Sequence, residues 1–442
     1  MGNGLLNYFT DPILRAPTLA SILMCLSASL IGVMVYLRKE SLVGEALSHA
    51  TYPGVILGAL IFAALGGLPD DLGLPVFILL GAFVSSLAGM GTIHLLKKHL
   101  SINTDAALCF VLSSFFGLGV LLVSRIQFTH TLFLTRVQVY LWGQVATMTD
   151  IHIALYAVLS LIVILPLFFF YKELKAIAFD RPWSTAFGLP VIGLDALLFF
   201  LIVLSLVTGI RTVGVVLMSA MLIAPAIAAR QLTDRLSKMF LLTAATGCFS
   251  AYVGNVLSYE LSSSLQISLP TGPMIVLVAA SIAFLSLLLA PSRGIVCRLL
   301  RKWRFRFRTL GENILKTIWR KKRDAPIEFN DILSYHVLSP LLLKLLLANL
   351  TYSGWLKKTG ALQWSLTQEG SLRAQKIIRL HRLWEVYLVD WVGAPAEKVH
   401  KSAEEMEHVL TKEVEEELSL LLKDPKIDPH HQPIPPSHES LL

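Results

Sequence analysis

Two segments of this 442-residue chain carry imidazoles and carboxylates one helical turn apart. His381 and Glu385 stand at i and i+4 within RLHRLWEVYLVDWVG. His400, Glu404 and His408 stand at i, i+4 and i+8 within HKSAEEMEHVLTKEVEEEL, with Glu407 directly before His408. In a helix that spacing puts the side chains on one face. The two clusters can together assemble one or two octahedral sites, and nitrogen plus carboxylate without thiolate suits Mn(II) or Fe(II) better than Cu(I) or structural zinc. Because affinity at such ligands rises toward zinc along the first row, the preference is soft. Taken alone, the acidic run also reads as a solvated helix face; the second His-x3-Glu cluster tips the balance toward ligation. A third pair, Glu45 and His49, repeats the i, i+4 spacing within RKESLVGEALSHATYPG. It too offers a divalent transition metal a carboxylate and an imidazole, although spacing alone favours an interfacial pair that caps or snorkels.

The elements that must position these groups are of two kinds. The chain is 55% hydrophobic and only 15% charged, with a mean hydropathy of +0.65, too apolar for an ordinary soluble enzyme of that length. The apolar residues are concentrated before about residue 292, and the charged ones after it. A bilayer core of roughly 30 Å needs about 20 apolar residues per helix. On that ruler candidate spans fall at residues 15–37, 50–67, 73–94, 105–124, 151–171, 192–210, 212–229, 239–258 and 272–291. The fold class is therefore an all-α polytopic membrane bundle of about nine helices, followed by a cytosolic, mostly α unit. Cys25, Cys109, Cys248 and Cys297 show no CxxC spacing and read as membrane packing residues. The N-terminus lacks the pattern of a removable signal peptide.

Basic residues set the orientation. Arg38 and Lys39, Lys97 and Lys98, Lys172, Lys175 and Arg181, and Arg230, Arg235 and Lys238 fall on alternate connections, as does the basic stretch after Arg293. That pattern places the N-terminus outside and the C-terminus in the cytoplasm. Asp70, Asp71 and His130 then lie outside, where they could draw cations to the mouth but read more simply as solvated loop residues.

The segment around Glu45 and His49 resembles the G-D-A-x-S-H-x-x-x-P-G stretch of the zinc, manganese and iron branch of ABC-transporter permeases. Gly44, Ala46, Ser48, His49, Pro53 and Gly54 match, and Glu45 replaces the usual Asp. TDAALCFVLSS from Thr104, FDRPWSTAFGLP from Phe179, VGVVLMSAMLIAPAIAAR from Val213 and LPTGPMIVLV from Leu269 are similar as well. The resemblance implies a permease that works as a homo- or heterodimer, takes Mn, Fe or Zn from an extracytoplasmic binding protein, and is driven by a separate cytosolic ATPase. The absence of a G-x-x-x-x-G-K-[ST] loop agrees with a subunit that binds no nucleotide and is not itself an enzyme. It also implies alternating access, with Glu45 and His49 as ligands on the transport path. Met218 and Met221 could add to them but read more simply as packing. The ATPase contact is expected at Phe179–Pro190, with Asp180, Arg181, Ala186 and Gly188 as its candidate residues.

After the last span, residues 293–325 form a basic juxtamembrane linker carrying Arg293, Arg298, Arg301, Lys302, Arg304, Arg306 and Arg308. Beside a membrane such a run attracts anionic lipid at about 1 kcal/mol per basic residue. The stretch from Leu366 to Pro435 resembles the metal-binding and dimerisation domain of iron- and manganese-dependent repressors. The resemblance implies that His381, Glu385, His400, Glu404, Glu407 and His408 are regulatory metal ligands for Mn(II) or Fe(II). It further implies a winged helix-turn-helix before that domain, assigned to residues 326–366 with a first helix from about 310. Asn313 and Lys316 then fall where relatives often supply ligands, which leaves a second metal site incomplete. In the recognition helix from Leu338, Lys344 and Asn349 are the side chains available to DNA. The metal-binding region is set at 367–427, and residues 428–442 are expected to be a disordered tail with His430 and His431 as bystanders.

Two functions compete. One is a metal permease fused to a metal-dependent repressor that binds operator DNA while tethered or after proteolytic release within residues 292–325. The other is a permease whose tail gates transport as an allosteric metal sensor, without DNA. Bacterial inner membrane is the expected location.

Overall fold

The computed structural model describes residues 8–69, 71, 73–129, 131–321 and 325–436. It divides into two compact units, Met1–Arg298 and Leu299–Leu442.

Backbone amides inside a bilayer must be paired within the chain, so the long apolar runs become helices. Nine helices among the described residues are long and apolar enough to cross a membrane. They are α1 (Pro12–Leu37), α2 (Ser41–Ala64), α3 (Leu74–His99), α4 (Thr104–Thr129), α6 (Asp150–Phe169), α9 (Val191–Val213), α10 (Val215–Leu232), α11 (Leu236–Leu265) and α12 (Thr271–Leu289). Three shorter helices intervene: α5 (Thr131–Trp142), α7 (Tyr171–Phe179) and α8 (Arg181–Ala186). The second span begins at Ser41, not at residue 50 as the apolar run suggests. Polar residues interrupt hydropathy there without interrupting the helix, so Glu45 and His49 lie within α2. Helix α5 also escaped the sequence pattern, because its 12 residues are too few to register as a span.

Helix α1 is the centre of this unit, with Met24 and Ile31 fully buried and α6, α9, α10 and α11 packed around it. Helices α3, α4 and α6 instead turn Leu80, Val84, Phe110, Leu121, Val158 and Leu161 outward, as a lipid-facing surface requires. Helix α2 is pressed against α3 through small residues: a Cβ on Gly54 would come within 2.1 Å of the Gly81 carbonyl oxygen. Such contacts let backbones approach closely in a bilayer. Gly214, at φ +93, separates α9 from α10 in a conformation that favours glycine.

The second unit contains most of α13 (Ile295–Lys321), then β1 (Ile327–Glu328), α14 (Phe329–Tyr335), α15 (Pro340–Tyr352), β2 (Leu356–Gly360), β3 (Gln363–Leu366), α16 (Gln368–Asp390), α17 (Ala396–Met406) and α18 (Lys412–Leu421). The expected linker is thus helical over Ile295–Lys321, because its basic residues alternate with Leu, Ile, Trp and Phe at helical spacing. Ile314, Leu315 and Ile318 of α13 pack with Ile332, Leu343, Leu346 and Trp364 into one core. Helices α14 and α15 meet at 113°, and β2 and β3 form an antiparallel hairpin flanked by β1 in the order β1-β3-β2. This is a winged helix-turn-helix arrangement. Ser339 caps α15 and Thr367 caps α16, each hydroxyl accepting a backbone N–H of the first turn.

The tail expectation needs correction up to Pro436. Asp428 is buried and accepts the amides of His430 and Gln432. Arg379 donates to the Pro435 carbonyl, and Arg382 donates to that of Pro433. Ile434 joins Leu383 and Val386 in a small apolar cluster. The segment's low hydrophobicity hid these anchors, which come from buried arginines on α16. Residues 437–442 lie outside the described residues.

Candidate metal centre

Helix α16 buries His381 and Glu385 one turn apart. The chain reverses through Gly393, at φ +73, and Pro395, so that α17 returns along α16 and brings His400 opposite them. His381 Nε2 lies 3.1 Å from His400 Nδ1 and 3.2 Å from Glu385 Oε1, and His400 Nδ1 lies 3.0 Å from that same oxygen. Two imidazole nitrogens and a carboxylate oxygen therefore converge, with one ligand atom from each residue within 4.8 Å of the others. That is the donor set of a divalent transition-metal site with open positions. It faces a cleft of about 570 Å³ also lined by Arg320, Arg382 and His430. Burial pushes the Glu385 carboxyl up, but hydrogen bonds from His381 and His400 outweigh it and hold the pKa at about 2, keeping the carboxylate ionised. His381 is raised overall: burial opposes its charge, and Glu385 and Glu407 more than compensate.

The other three expected ligands are arranged differently. Glu404 is exposed, with Oε1 3.6 Å from His400 Nε2. Glu407 is fully buried, with Lys316 Nζ 2.8 and 2.7 Å from its two oxygens and His381 Nδ1 2.6 Å from Oε2. His408 Nδ1 is 2.7 Å from Glu312 Oε2, and its Nε2 is 3.1 Å from Asn313 Oδ1. Arg373 donates to the other Glu312 oxygen at 2.5 Å. Burial raises both carboxyls, Glu312 and Glu407, yet their basic partners hold each below the usual carboxylate range. The first cluster thus fits a metal ion, whereas the second is filled by the protein's own cations. Lys316 lies beside Glu407, and Asn313 beside His408. His430, set aside as a bystander, reaches the cleft with Nε2 3.9 Å from Glu385 Oε1. The signal that could have found it is the Asp-x-His spacing of an Asx turn, DPHHQ.

In the membrane unit Glu45 lines an open groove of about 420 Å³ with Ser41, Ser219 and Ile223. His49 packs edge-on against Phe116, 5.0 Å between ring centroids, and its buried Nδ1 has no hydrogen-bond partner among the described residues. Met218 and Met221 are completely buried in the core. Asp71 accepts the amide of Leu68 in an exposed turn, while Asp70 and His130 lie outside the described residues.

Around the expected ATPase contact, Asp180 caps α8 by accepting the Trp183 amide at 3.0 Å. Arg181 pairs with Asp195 at the start of α9, and Arg38 at the end of α1 pairs with the same carboxylate at 3.0 Å. Ala186 and Gly188 are exposed, with Gly188 at φ +83 turning the chain after the helix. Trp183 stacks on Phe187 with both rings largely exposed, an apolar patch that the charged candidates alone did not reveal.

On α15, Lys344 and Asn349 are exposed, but they flank an outward stripe of Leu341, Leu345 and Tyr352. Hydrogen-bonding side chains for base edges are few on that face.

These features define a polytopic membrane protein that carries a winged-helix unit with a histidine-carboxylate metal centre. Residues 10–290 match the ABC 3 transport family. Residues 367–436 match the iron dependent repressor, metal binding and dimerisation domain. The chain is 35% identical over 441 residues to a probable metal transport system membrane protein of Chlamydia trachomatis, covering 97% of each chain. It is 33% identical over 371 residues to the manganese transport system membrane protein MntC of Bacillus subtilis, covering 84% of this chain and 82% of that one. Among solved structures, PsaBC from Streptococcus pneumoniae in complex with Fab aligns with a TM-score of 0.56 and 28% identity, over 66% of this chain and 98% of that one. The chain belongs to the ABC 3 transport family, as a metal permease with a repressor-type metal-binding domain fused at its C-terminal end.

Proposed function

We propose that this chain is the permease subunit of an ATP-driven importer of Mn, Fe or Zn, and that its C-terminal unit is a metal-dependent repressor controlling that uptake. The observation that carries the regulatory half is the convergence of His381 Nε2, Glu385 Oε1 and His400 Nδ1. In this reading Mn(II) or Fe(II) is held by His381, Glu385 and His400, and Glu407 fixes the ring of His381 from behind, since a histidine ligand is oriented by what its other nitrogen bonds. Glu45 and His49 belong to the transport path, and α8 with its flanks, Asp180 to Gly188, receives a separate ATPase. A permease partner, an extracytoplasmic metal-binding protein and anionic lipid along α13 complete the assembly. The chain sits in a bacterial inner membrane with its N-terminus outside and its C-terminal unit in the cytoplasm. There the unit acts tethered, or after cleavage within residues 292–325. Lys344 and Asn349 are the groups offered to operator DNA.

A second reading draws on α15: a reader helix that exposes Leu341, Leu345 and Tyr352 suits a sensor that gates transport through protein contacts. A gel-shift with residues 299–442 on the DNA upstream of the chain's own operon separates the two, run with Mn(II), Fe(II), Zn(II) or chelator. A metal-dependent shift that disappears in a His381→Ala, His400→Ala variant supports the repressor. If no metal produces a shift, while removal of residues 325–442 abolishes metal inhibition of uptake, the sensor reading replaces it. An immunoblot for the C-terminus tests release, and a single full-length membrane-bound species rules it out.

A further inference from the structure

Repressor-type domains similar to this one would lead one to expect a second metal ion at Glu404, Glu407 and His408. The side chains around those three residues do not accommodate it. Both oxygens of Glu407 are engaged by Lys316, whose Nζ lies 2.7 and 2.8 Å away, and Oε2 is also within 2.6 Å of His381 Nδ1. The pair is buried, with 6% of the Lys316 side chain and none of the Glu407 side chain exposed. An ion ligated by Glu407 would have to share that carboxylate with an ammonium at contact distance, in a place where water screens neither charge. His408 is equally committed, one ring nitrogen to Glu312 and the other shared between Asn313 Oδ1 at 3.1 Å and Glu407 Oε1 at 3.3 Å. Glu312 is in turn matched by Arg373. Glu404 points to solvent. The contrast with the first cluster is one of charge: among the described residues, the side chains that hydrogen-bond or ion-pair with Glu385 are the imidazoles of His381, His400 and His430.

We infer that the Lys316 side chain permanently takes the place of the second cation, so that the C-terminal unit holds one divalent ion, at His381, Glu385 and His400, and none at Glu407 and His408. The inference rests on the metal centre proposed above. It also gives Glu407 a different task. Held by Lys316, its carboxylate accepts from His381 Nδ1, which leaves Nε2 free to face Glu385 and His400, the arrangement in which a carboxylate orients a histidine ligand. Lys316 is therefore a positioning residue that acts on the centre through Glu407 and His381.

The test counts metal in the full-length chain, purified in detergent, stripped with chelator, reloaded with Mn(II) and desalted. Metal content and the EPR spectrum are read for wild type and three variants, so that any ion in the membrane unit cancels in the differences. The His381→Ala, His400→Ala chain should hold one ion fewer than wild type. His408→Ala should hold the same number. Lys316→Glu, which exchanges the ammonium for a carboxylate, should gain one ion and show the broadened signal of two coupled Mn(II). A His408→Ala chain one ion short of wild type overturns the inference, as does a Lys316→Glu chain that elutes like wild type but gains nothing. Should Lys316→Glu not fold, the His408→Ala comparison still decides. If instead the double histidine variant loses no ion, the metal centre itself is wrong and this inference falls with it.

Discussion

Arg38 and Asp195 form an ion pair at 3.0 Å between the end of α1 and the second turn of α9, with 9% and 12% of their side chains exposed. Asp195 also holds Arg181, the first residue of α8. One carboxylate thus ties the central helix of the membrane unit to the segment proposed to receive the ATPase.

Removing that carboxylate leaves the buried Arg38 guanidinium with Glu40, 3.5 Å away, as its remaining acidic partner among the described residues, so the cost is a fraction of the about 3–5 kcal/mol of a fully orphaned buried charge. Asp195→Asn should lower the melting temperature of the detergent-solubilised chain and reduce ATP-driven Mn(II) uptake at least tenfold. Unchanged uptake with a normal melting curve would show that the node is ornamental.

The stacked pair Trp183 and Phe187 presents aromatic surface beside charged residues, the composition of an interface anchor. Trp183→Ala is expected to weaken co-purification of the ATPase by roughly tenfold, equivalent to about 1.4 kcal/mol, with insertion of the chain unaffected. Equal recovery of the ATPase with both proteins would move the contact elsewhere.

Within the metal centre, Glu407→Gln leaves the three converging donors in place but weakens the hold on the His381 ring. Mn(II) affinity should fall by about 10- to 100-fold. His430→Ala, at the rim of the cleft, should cost less than that. Isothermal titration distinguishes them, and a His430→Ala loss larger than that of Glu407→Gln would make His430 a ligand in its own right.

His336 sits away from the centre, its Nε2 3.0 Å from Thr317 Oγ1, and burial lowers its pKa from the ordinary value of 6.5. The unfolded chain therefore takes up a proton at His336 before the folded one does. This histidine's contribution is complete above about pH 6.5 and is lost as the pH falls through its folded pKa. Unfolding of the C-terminal unit followed between pH 7.5 and 5.5 should show a declining midpoint, and His336→Asn should flatten that decline. A slope unaltered by the substitution would assign the effect to other groups.

Hydropathy alone located all nine helices long and apolar enough to cross a membrane among the described residues, because lipid leaves an apolar run little choice but a helix. It misplaced the start of the helix carrying Glu45 and His49, since polar residues near a bilayer surface break the apolar pattern and not the hydrogen-bond ladder. The i, i+4 spacing correctly grouped His381 with Glu385, but spacing along one helix is silent about what a neighbouring helix brings. Lys316 stands 91 residues from Glu407, and nothing in either local segment announces their meeting. The docking of residues 428–436 was illegible for a similar reason: the groups that hold it, Arg379 and Arg382, look in sequence like surface charges of a soluble helix. The fate of Asp195, at the second turn of a strongly apolar run, became apparent only once Arg38 and Arg181 were placed around it.

A ligand can shift an equilibrium only through contacts that differ between two states. Helix α13 is already fastened to the segment after α17 by Lys316 with Glu407 and by Glu312 with His408, and to α16 by Arg373 with Glu312. These bonds need no metal. Binding at His381, Glu385 and His400 adds a bridge between α16 and α17 alone. Whatever signal metal sends through this unit must therefore begin as a change in how those two helices clasp each other, and it reaches α13 through His381, Glu407 and Lys316.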